Sequence, residues 1–458
     1  MKIAVISGSP KGQNSVTLQS VEWLRLKFPR HHFDVFHVGQ RIKEPERKPE
    51  ELKAVLDAID EADALVWAFP VYYMLVPSQM LRFIELARQA ARPEAFAEKP
   101  SFSLSTSVHF YDHTAHEFLR QVSLELGMKY FGFFSAGMED LLQPKERQRL
   151  EAFFTDFEWA VAHEMFPAAD IPAPRACLEP EKGLDPKPPS QKQSGKALVL
   201  TCGPQDGPAF RMARAFAAAS PLECEITRLE ELNMQGGCLG CLLCGWDNEC
   251  VYKDGFREFF LDKTLTADAV VFAMPLSGGF FPSAFKTFLD RSFFRGHVPN
   301  YEGKPMVFLV AGDLNANPAA AEFAKAFAEC GGARLTGAVC DCGDAACRTR
   351  AVEHTAHLTA RAALTKMPPS PTYRSYASFK IFRDLIYKTP FVFRADYRFY
   401  SKRELLDYPN RDWKLFFRKI LMALLMSVPS VRKSIQAEMA RYMLAGHQAV
   451  LEKEKAGS

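Results

Sequence analysis

Residues 61–86, EADALVWAFPVYYMLVPSQMLRFIEL, align without a gap on residues 266–291, TADAVVFAMPLSGGFFPSAFKTFLDR, at an offset of 205. The same offset sets Lys99-Pro100 on Lys304-Pro305 and Gly132 on Gly337, while KIAVISGSP (2–10) matches KALVLTCGP (196–204) at an offset of 194. A chain that repeats one unit folds as copies of one domain, so the repeat limits the architecture before any element is assigned. The second copy holds 11 more residues between its first strand and its ADA strand. That interval carries GGCLGCLLCGWDNEC (236–250), with four of the chain's eleven cysteines.

Within each copy, short apolar runs (3–6, 64–68, 102–105 and 131–133 in the first) alternate with helical patterns (16–26, 49–59 and 77–90). Apolar strands without alternation, separated by helices, imply a parallel sheet covered on both faces. The expected fold is therefore α/β: two tandem doubly wound parallel five-stranded sheets, followed by a basic, mostly helical C-terminal extension. The expected boundaries are 1–167 for the first domain, 168–195 for a linker rich in Pro, Lys, Ser and Gly, 196–366 for the second domain and 367–458 for the extension. A chain of 458 residues with 48% apolar side chains is long enough for several cores.

The net charge of +3 is unevenly placed. Residues 371–458 carry 17 Lys and Arg against 8 Asp and Glu, and residues 1–370 carry 40 against 46. No run of 18 apolar residues occurs, so no membrane span is expected. The N-terminus, MKIAVISGSP, enters a strand pattern at once, without a basic leader or cleavage site, and reads as cytoplasmic. In a reducing compartment clustered cysteines point to metal or redox chemistry rather than to a disulfide framework. The scattered Cys177, Cys202, Cys224 and Cys330 read as buried or incidental thiols.

Two loops of the first copy carry binding chemistry. SGSPKGQNSVT (7–17) joins the first strand to the first helix, where hydroxyls, an amide, backbone N–H groups and Lys11 suit a phosphate monoester. The other interpretation is a helix N-cap in a Ser-rich loop. AFPVYYMLVP (68–77) ends the third strand, with Pro70 as punctuation and Tyr72 and Tyr73 as flat aromatic surface or as loop packing.

The motifs S-x-S-P-K-x-x-N-S-x-T and P-V-Y-Y-x-x-x-P resemble the NADPH-dependent FMN reductase family, including its iron–sulfur flavoproteins. The resemblance spans both copies and leaves the extension outside, and it implies a flavodoxin-like fold. It further implies that Ser9, Lys11, Asn14, Ser15 and Thr17 hold the FMN phosphate and that Pro70, Val71, Tyr72 and Tyr73 line the isoalloxazine. Thr106, Ser107 and His109, in the loop after the fourth strand, would cover its other side, although His109 also reads as a surface residue. NAD(P)H is the donor the resemblance suggests, and a homo-oligomer is left open.

The second copy departs from these motifs. TCGPQDGPAF (201–210) sets Asp206 where a cation is needed, and Ser277 and Gly278 replace the two tyrosines. It keeps Lys286, Asp290 and Arg291 of the family's helix. Its cysteines Cys238, Cys241, Cys244 and Cys250 match the close spacing used for [4Fe–4S] clusters, with structural zinc or no metal as alternatives. CDCGDAAC, with Cys340, Cys342 and Cys347, matches no established spacing.

The expected function is a flavin-dependent oxidoreductase passing electrons between FMN in the first domain and a [4Fe–4S] cluster in the second, with small molecules or proteins as electron donor and acceptor. The alternatives are an FMN-dependent NAD(P)H:quinone or nitro-compound reductase without a cluster, and a non-catalytic scaffold with structural zinc. The extension interleaves Lys and Arg with Phe, Tyr and Leu. It reads as helices packed on the acidic body, or as docking to a membrane surface or an acidic partner through 413–426, and no nucleic-acid motif accompanies its charge.

Overall fold

A computed structural model describes residues 1–168, 184–366, 368–407 and 413–457. Of the linker expected at 168–195, residues 169–183 lie outside the described residues. The chain divides into two compact units, one comprising Met1–Ile171, Gly237–Cys241 and Arg432–Ser458, the other Pro172–Gly236 and Leu242–Val431.

The first unit contains β1 (Lys2–Ser7), β2 (His32–Phe36), β3 (Ala64–Pro70), β4 (Pro100–Ser107) and β5 (Lys129–Gly137). They pair in the order β2-β1-β3-β4-β5, all parallel. The second unit repeats this order with β6 (Lys196–Thr201), β7 (Glu223–Arg228), β8 (Ala269–Pro275), β9 (Pro305–Ala311) and β10 (Arg334–Cys340), arranged β7-β6-β8-β9-β10. The central strands β3 and β8 are buried at every position except their final proline, as a strand covered on both faces requires. Both fifth strands carry a bulge at the same place, skipping Phe131 before Gly132 and Thr336 before Gly337.

Helices α1 (Val16–Lys27), α2 (Pro49–Asp60), α3 (Ser78–Gln89), α4 (Asp112–Glu125) and α5 (Pro144–His163) cover the first sheet. Its core on one face gathers Val5, Val66 and Phe102 of the sheet with Trp23 and Leu24 of α1 and Phe154 and Phe157 of α5. In the second unit α6 (Pro208–Ala219), α7 (Ser283–Arg291), α8 (Pro318–Cys330) and α9 (Ala345–Thr365) do the same. There α6 packs through Ala209, Ala213 and Ala219, small side chains that bring the helix close to the sheet.

The extension is helical: α10 (Tyr373–Lys388), α11 (Arg394–Lys402), α12 (Trp413–Ser427), α13 (Pro429–Ala437) and α14 (Met439–Gly457). In the second unit its cations meet carboxylates of the α/β body, Arg374 with Glu322 at 2.7 Å and Arg403 with Glu302 at 2.6 Å. In the first unit α14 joins the core through Leu451 and pairs Glu454 with Lys27 at 2.5 Å. Among the described residues no helix is long and apolar enough to cross a membrane.

Candidate functional site

Because β1, β3 and β4 are neighbours in one parallel sheet, the loops that leave their carboxyl ends lie side by side, where ligands of such sheets bind. The first loop starts when the Gly8 amide donates to Ala68 O at 2.8 Å, turns through a short 3-10 segment at Gly12–Asn14 and delivers Ser15 as the N-cap of α1. Ser9, Ser15 and Thr17 are buried, Asn14 is exposed and Lys11 is half-buried. Ser15 makes no side-chain capping bond, and the buried Thr17 hydroxyl has no hydrogen-bond partner. An unpaired buried hydroxyl at a helix N-terminus is costly unless a ligand completes it. Burial lowers the Lys11 pKa, an effect opposed by the nearby Cys238 and Cys241 thiols.

The second loop is pinned by the Val71 amide, which donates to Thr106 O at 3.1 Å. Tyr72 and Leu75 then exchange backbone bonds of 2.8 and 3.0 Å around a tight turn whose central residues, Tyr73 and Met74, have φ of +40° and +65°. The second unit makes the same turn between Ser277 and Phe280 with Gly278 and Gly279, at +61° and +87°. Glycine adopts that conformation freely, whereas a side chain costs about 1–2 kcal/mol per residue. The first unit thus carries backbone strain where it presents two aromatic rings. Replacing Tyr73 by Gly is expected to stabilise the protein by about 1 kcal/mol in chemical unfolding. A loss of stability instead would show that ring packing outweighs the strain.

The third segment differs from the expected loop in that Thr106 and Ser107, both buried, are the last residues of β4, and only the exposed His109 lies in the loop beyond it. The Thr106 hydroxyl is also buried without a partner. Ser107 Oγ accepts the His109 amide at 2.8 Å, holding His109 in a left-handed conformation with φ +56°. His109 Nδ1 stands 3.3 Å from Asp112 Oδ2 and 3.4 Å from Ser135 Oγ. Behind it a chain of polar groups runs into the unit. Ser135 Oγ bonds Asp112 and lies 3.5 Å from Ser105 Oγ, Ser105 meets His116 Nε2 at 2.8 Å, and His116 Nδ1 meets Ser103 Oγ at 2.7 Å. Ser103 also bonds the Tyr130 hydroxyl at 2.6 Å. Desolvation holds the His116 pKa down to about 3, with Asp112 opposing and His113 assisting, and burial pushes that of Tyr130 up.

Two further segments of the first unit reach these loops. In the short helix Val38–Arg41, a Cβ at Gly39 would collide with the Gly8 carbonyl, so only glycine lets this helix press on the loop between β1 and α1. The segment Gly237–Cys241 lies on the same loops. Gln79 Nε2 donates to Cys238 O at 3.0 Å, and a Cβ at Gly240, φ +62°, would collide with the Tyr72 hydroxyl. Met443 of α14 places Sδ 4.0 Å from Lys11 Nζ. Sequence reasoning missed Gly39 and Met443, which carry no local motif.

A scan of family descriptions matches residues 1–138 and 196–339, more than half of the chain, to the family described as NADPH-dependent FMN reductase. The chain belongs to the NADPH-dependent FMN reductase family. No curated protein matches it. Among solved structures it is similar to the flavoenzyme NAD(P)H:(acceptor) oxidoreductase FerB from Paracoccus denitrificans, at 20% identity over 35% of this chain and 97% of that one, with a TM-score of 0.31. It is also similar to an apo NADH:FMN oxidoreductase, EMOB, at 22% identity over 35% and 89%, TM-score 0.31. A third is an FMN-dependent NADH-azoreductase from Bacillus anthracis, at 13% identity over 36% and 100%, TM-score 0.28. In this FMN reductase family member the donor set of the first unit fits the cofactor: hydroxyls, a lysine and a helix N-terminus for the phosphate, aromatic and hydroxyl groups for the ring, and two buried hydroxyls, of Thr17 and Thr106, awaiting partners.

The four cysteines Cys238, Cys241, Cys244 and Cys250 are divided between the two units. Among the described residues no three His, Cys, Asp or Glu side chains stand where they could share a metal ion. Cys238 and Cys241 belong to the first unit, Cys244 and Cys250 to the second. The spacing fixes separation along the chain, but left-handed turns at Gly240 and Leu242 and the anchor at Gln79 govern where each thiol goes. The family match supports the flavin and gives no support to a [4Fe–4S] cluster on these cysteines, and no electron step is routed through one. CDCGDAAC is instead a helix start: Asp344 caps α9 through the Cys347 amide at 2.8 Å, and Asp341 accepts the Gly312 amide at 2.8 Å. In the second unit the loop after β6 already holds a carboxylate, since the Gly203 amide donates to Glu230 Oε1 at 2.6 Å.

Proposed function

We propose that the first unit carries the flavin and that the protein transfers an electron pair from NAD(P)H to a flat quinone or nitro-aromatic acceptor. The observation that carries this reading is the convergence of three donor-bearing loops at the ends of β1, β3 and β4, with the Thr17 and Thr106 hydroxyls buried and unpaired. Ser9, Lys11, Asn14, Ser15 and Thr17 would hold the phosphate, and Pro70, Val71, Tyr72, Tyr73, Thr106, Ser107 and His109 would border the ring. Bound FMN supplies the redox chemistry, accepting hydride equivalents and passing them on. The protein residues bind, orient and shield. Lys11 neutralises phosphate charge, the Tyr72 and Tyr73 rings offer a stacking surface, and His109, oriented by Asp112 and Ser107, presents an exposed imidazole beside the ring loop.

The second unit has a supporting role in this reading, because Asp206 and the Glu230 carboxylate at its first loop oppose a phosphate. Coupling to a cluster on Cys238, Cys241, Cys244 and Cys250 is not part of the reading, since the family match supports the flavin alone.

FMN titration of the apoprotein tests it. Lys11→Ala and Thr17→Val are each expected to raise the FMN dissociation constant about 10- to 100-fold, the worth of a charge-assisted hydrogen bond, while Asp206→Ala leaves it unchanged. Equal affinity in all four proteins would place the flavin elsewhere. About four irons per chain in protein purified without oxygen would restore the cluster reading.

A further inference from the structure

Helix α12 presents its apolar side to solvent. Phe417, Ile420, Leu421, Leu424, Leu425 and Val428, at the end of the helix or just beyond it, follow the spacing i, i+3, i+4, i+7, i+8 and i+11, so they share one face. All six are exposed, Phe417 at 65%, Leu421 at 59% and Leu424 at 64%. The opposite face is the one covered by protein. Met426 is 1% exposed, and Lys419 sets its ammonium 3.4 Å from the ring centre of Tyr387 in α10 and 5.6 Å from that of Tyr397 in α11. A helix that served only to pack on its own chain would turn its leucines inward and its lysine out. Here the lysine is drawn over two rings, and six large apolar side chains form a contiguous stripe, far more than the scattered apolar residues of ordinary surfaces.

The charge around the stripe indicates what covers it. From 413 to 437 the sequence has Lys414, Arg418, Lys419, Arg432 and Lys433 and no Asp or Glu. Arg418 is exposed beside the stripe. No described helix is long and apolar enough to span a bilayer, which leaves a helix lying in the interface, its apolar face among the acyl chains and its cations at the headgroups. A cytosolic protein partner with an acidic groove would supply charge but not the apolar depth that six such side chains call for.

We propose that α12 docks the protein onto an anionic lipid surface, lying parallel to it through Phe417, Ile420, Leu421, Leu424, Leu425 and Val428. The proposal is independent of the flavin reading, because it concerns binding to vesicles and can be measured without cofactor or substrate.

The test is co-sedimentation of the full-length protein with phosphatidylcholine vesicles, with and without phosphatidylglycerol, together with its mass in solution by light scattering. Wild type is expected to bind the mixed vesicles, to bind pure phosphatidylcholine several-fold more weakly, and to be partly released by salt. Leu421→Ser with Leu424→Ser should reduce binding at least about tenfold. Arg418→Glu with Lys433→Glu should abolish the preference for anionic lipid while keeping the apolar stripe. Both double variants alter exposed side chains, and an unchanged thermal midpoint shows that they fold. Absence of binding to either vesicle by wild type overturns the proposal, as does binding that the serine variant leaves unchanged. A wild-type dimer that the serine variant converts to monomer, without vesicle binding, assigns the stripe to a second copy and also overturns it.

Discussion

Replacing Arg291 by Ala is expected to lower stability by about 3–5 kcal/mol, the cost of leaving one partner of a buried ion pair alone. Arg291 and Asp254 are each 1% exposed in their side chains and joined by two parallel bonds of 2.8 Å. Arg291 also donates to Gly236 O at 3.1 Å and lies over the Tyr252 ring at 4.3 Å. Asp254 further accepts the Gln235 amide at 2.9 Å, so the pair ties both ends of 235–254 to α7. Burial works against the Asp254 charge, but the Arg291 bonds, the Gln235 amide and the Arg291 charge outweigh it and bring its carboxyl down to about 2. With the folded value below the ordinary 3.8, this stabilisation is complete above that pH and is lost as pH falls through about 2. Urea unfolding of Arg291→Ala, Asp254→Ala and the double variant checks the claim. Each single change should be large, and the double change much smaller than their sum. A single-variant loss below about 1 kcal/mol would mean that the pair is worth no more than an exposed one.

Acidification from pH 7 to pH 5 is expected to cost about 2 kcal/mol through His116 alone, at 1.36 kcal/mol per pH unit below the ordinary pKa. His116 is buried between Ser103 and Ser105, its ring stacked on Phe133 at 4.3 Å, and it resists protonation until about pH 3. The unfolded chain takes up its proton near 6.5, so it binds more protons than the folded chain between 6.5 and 3, and stability falls throughout that window. Burial depresses His37 and His447 in the same direction, so the variant His116→Gln is needed to isolate the effect. It should flatten the dependence of unfolding free energy on pH by about 2 kcal/mol between pH 7 and 5. An unchanged slope would show that His116 is protonated in the folded state. In that case it would be a charged member of the polar chain leading to His109.

The repeat and most of the strand pattern were legible, although β2 (His32–Phe36) carries no apolar run that marks it. KIAVISGSP and KALVLTCGP begin two sheets of identical order because apolar runs of five or six residues between helical segments allow few arrangements other than parallel strands. Residues 7–17, 70–73 and 106–109 were also legible as neighbours, because each stretch covers the end of a strand and the loop beyond it, and the strand order places them together. What a strand–loop–helix motif encodes is local, and the sheet carries it into space without further information.

The position of the cysteines was not legible. C-x2-C-x2-C specifies how far apart the thiols lie along the chain, while their convergence depends on the left-handed turns at Gly240 and Leu242 and on where Gln79 and Tyr72 take hold of the segment. The same holds for His116, one histidine among eleven until β4 and β5 enclose it, and for Met443, more than 400 residues from Lys11. The amphipathic pattern of α12 was visible, but not which face turns outward, since its period is the same whichever side is covered. The sequence by itself determined two flavodoxin-like sheets and the loops that leave the ends of β1, β3 and β4, because period and strand order are local properties of the chain. Only the tertiary structure decided which histidine is buried and which face of α12 is left to solvent, because those depend on contacts between residues far apart in the chain.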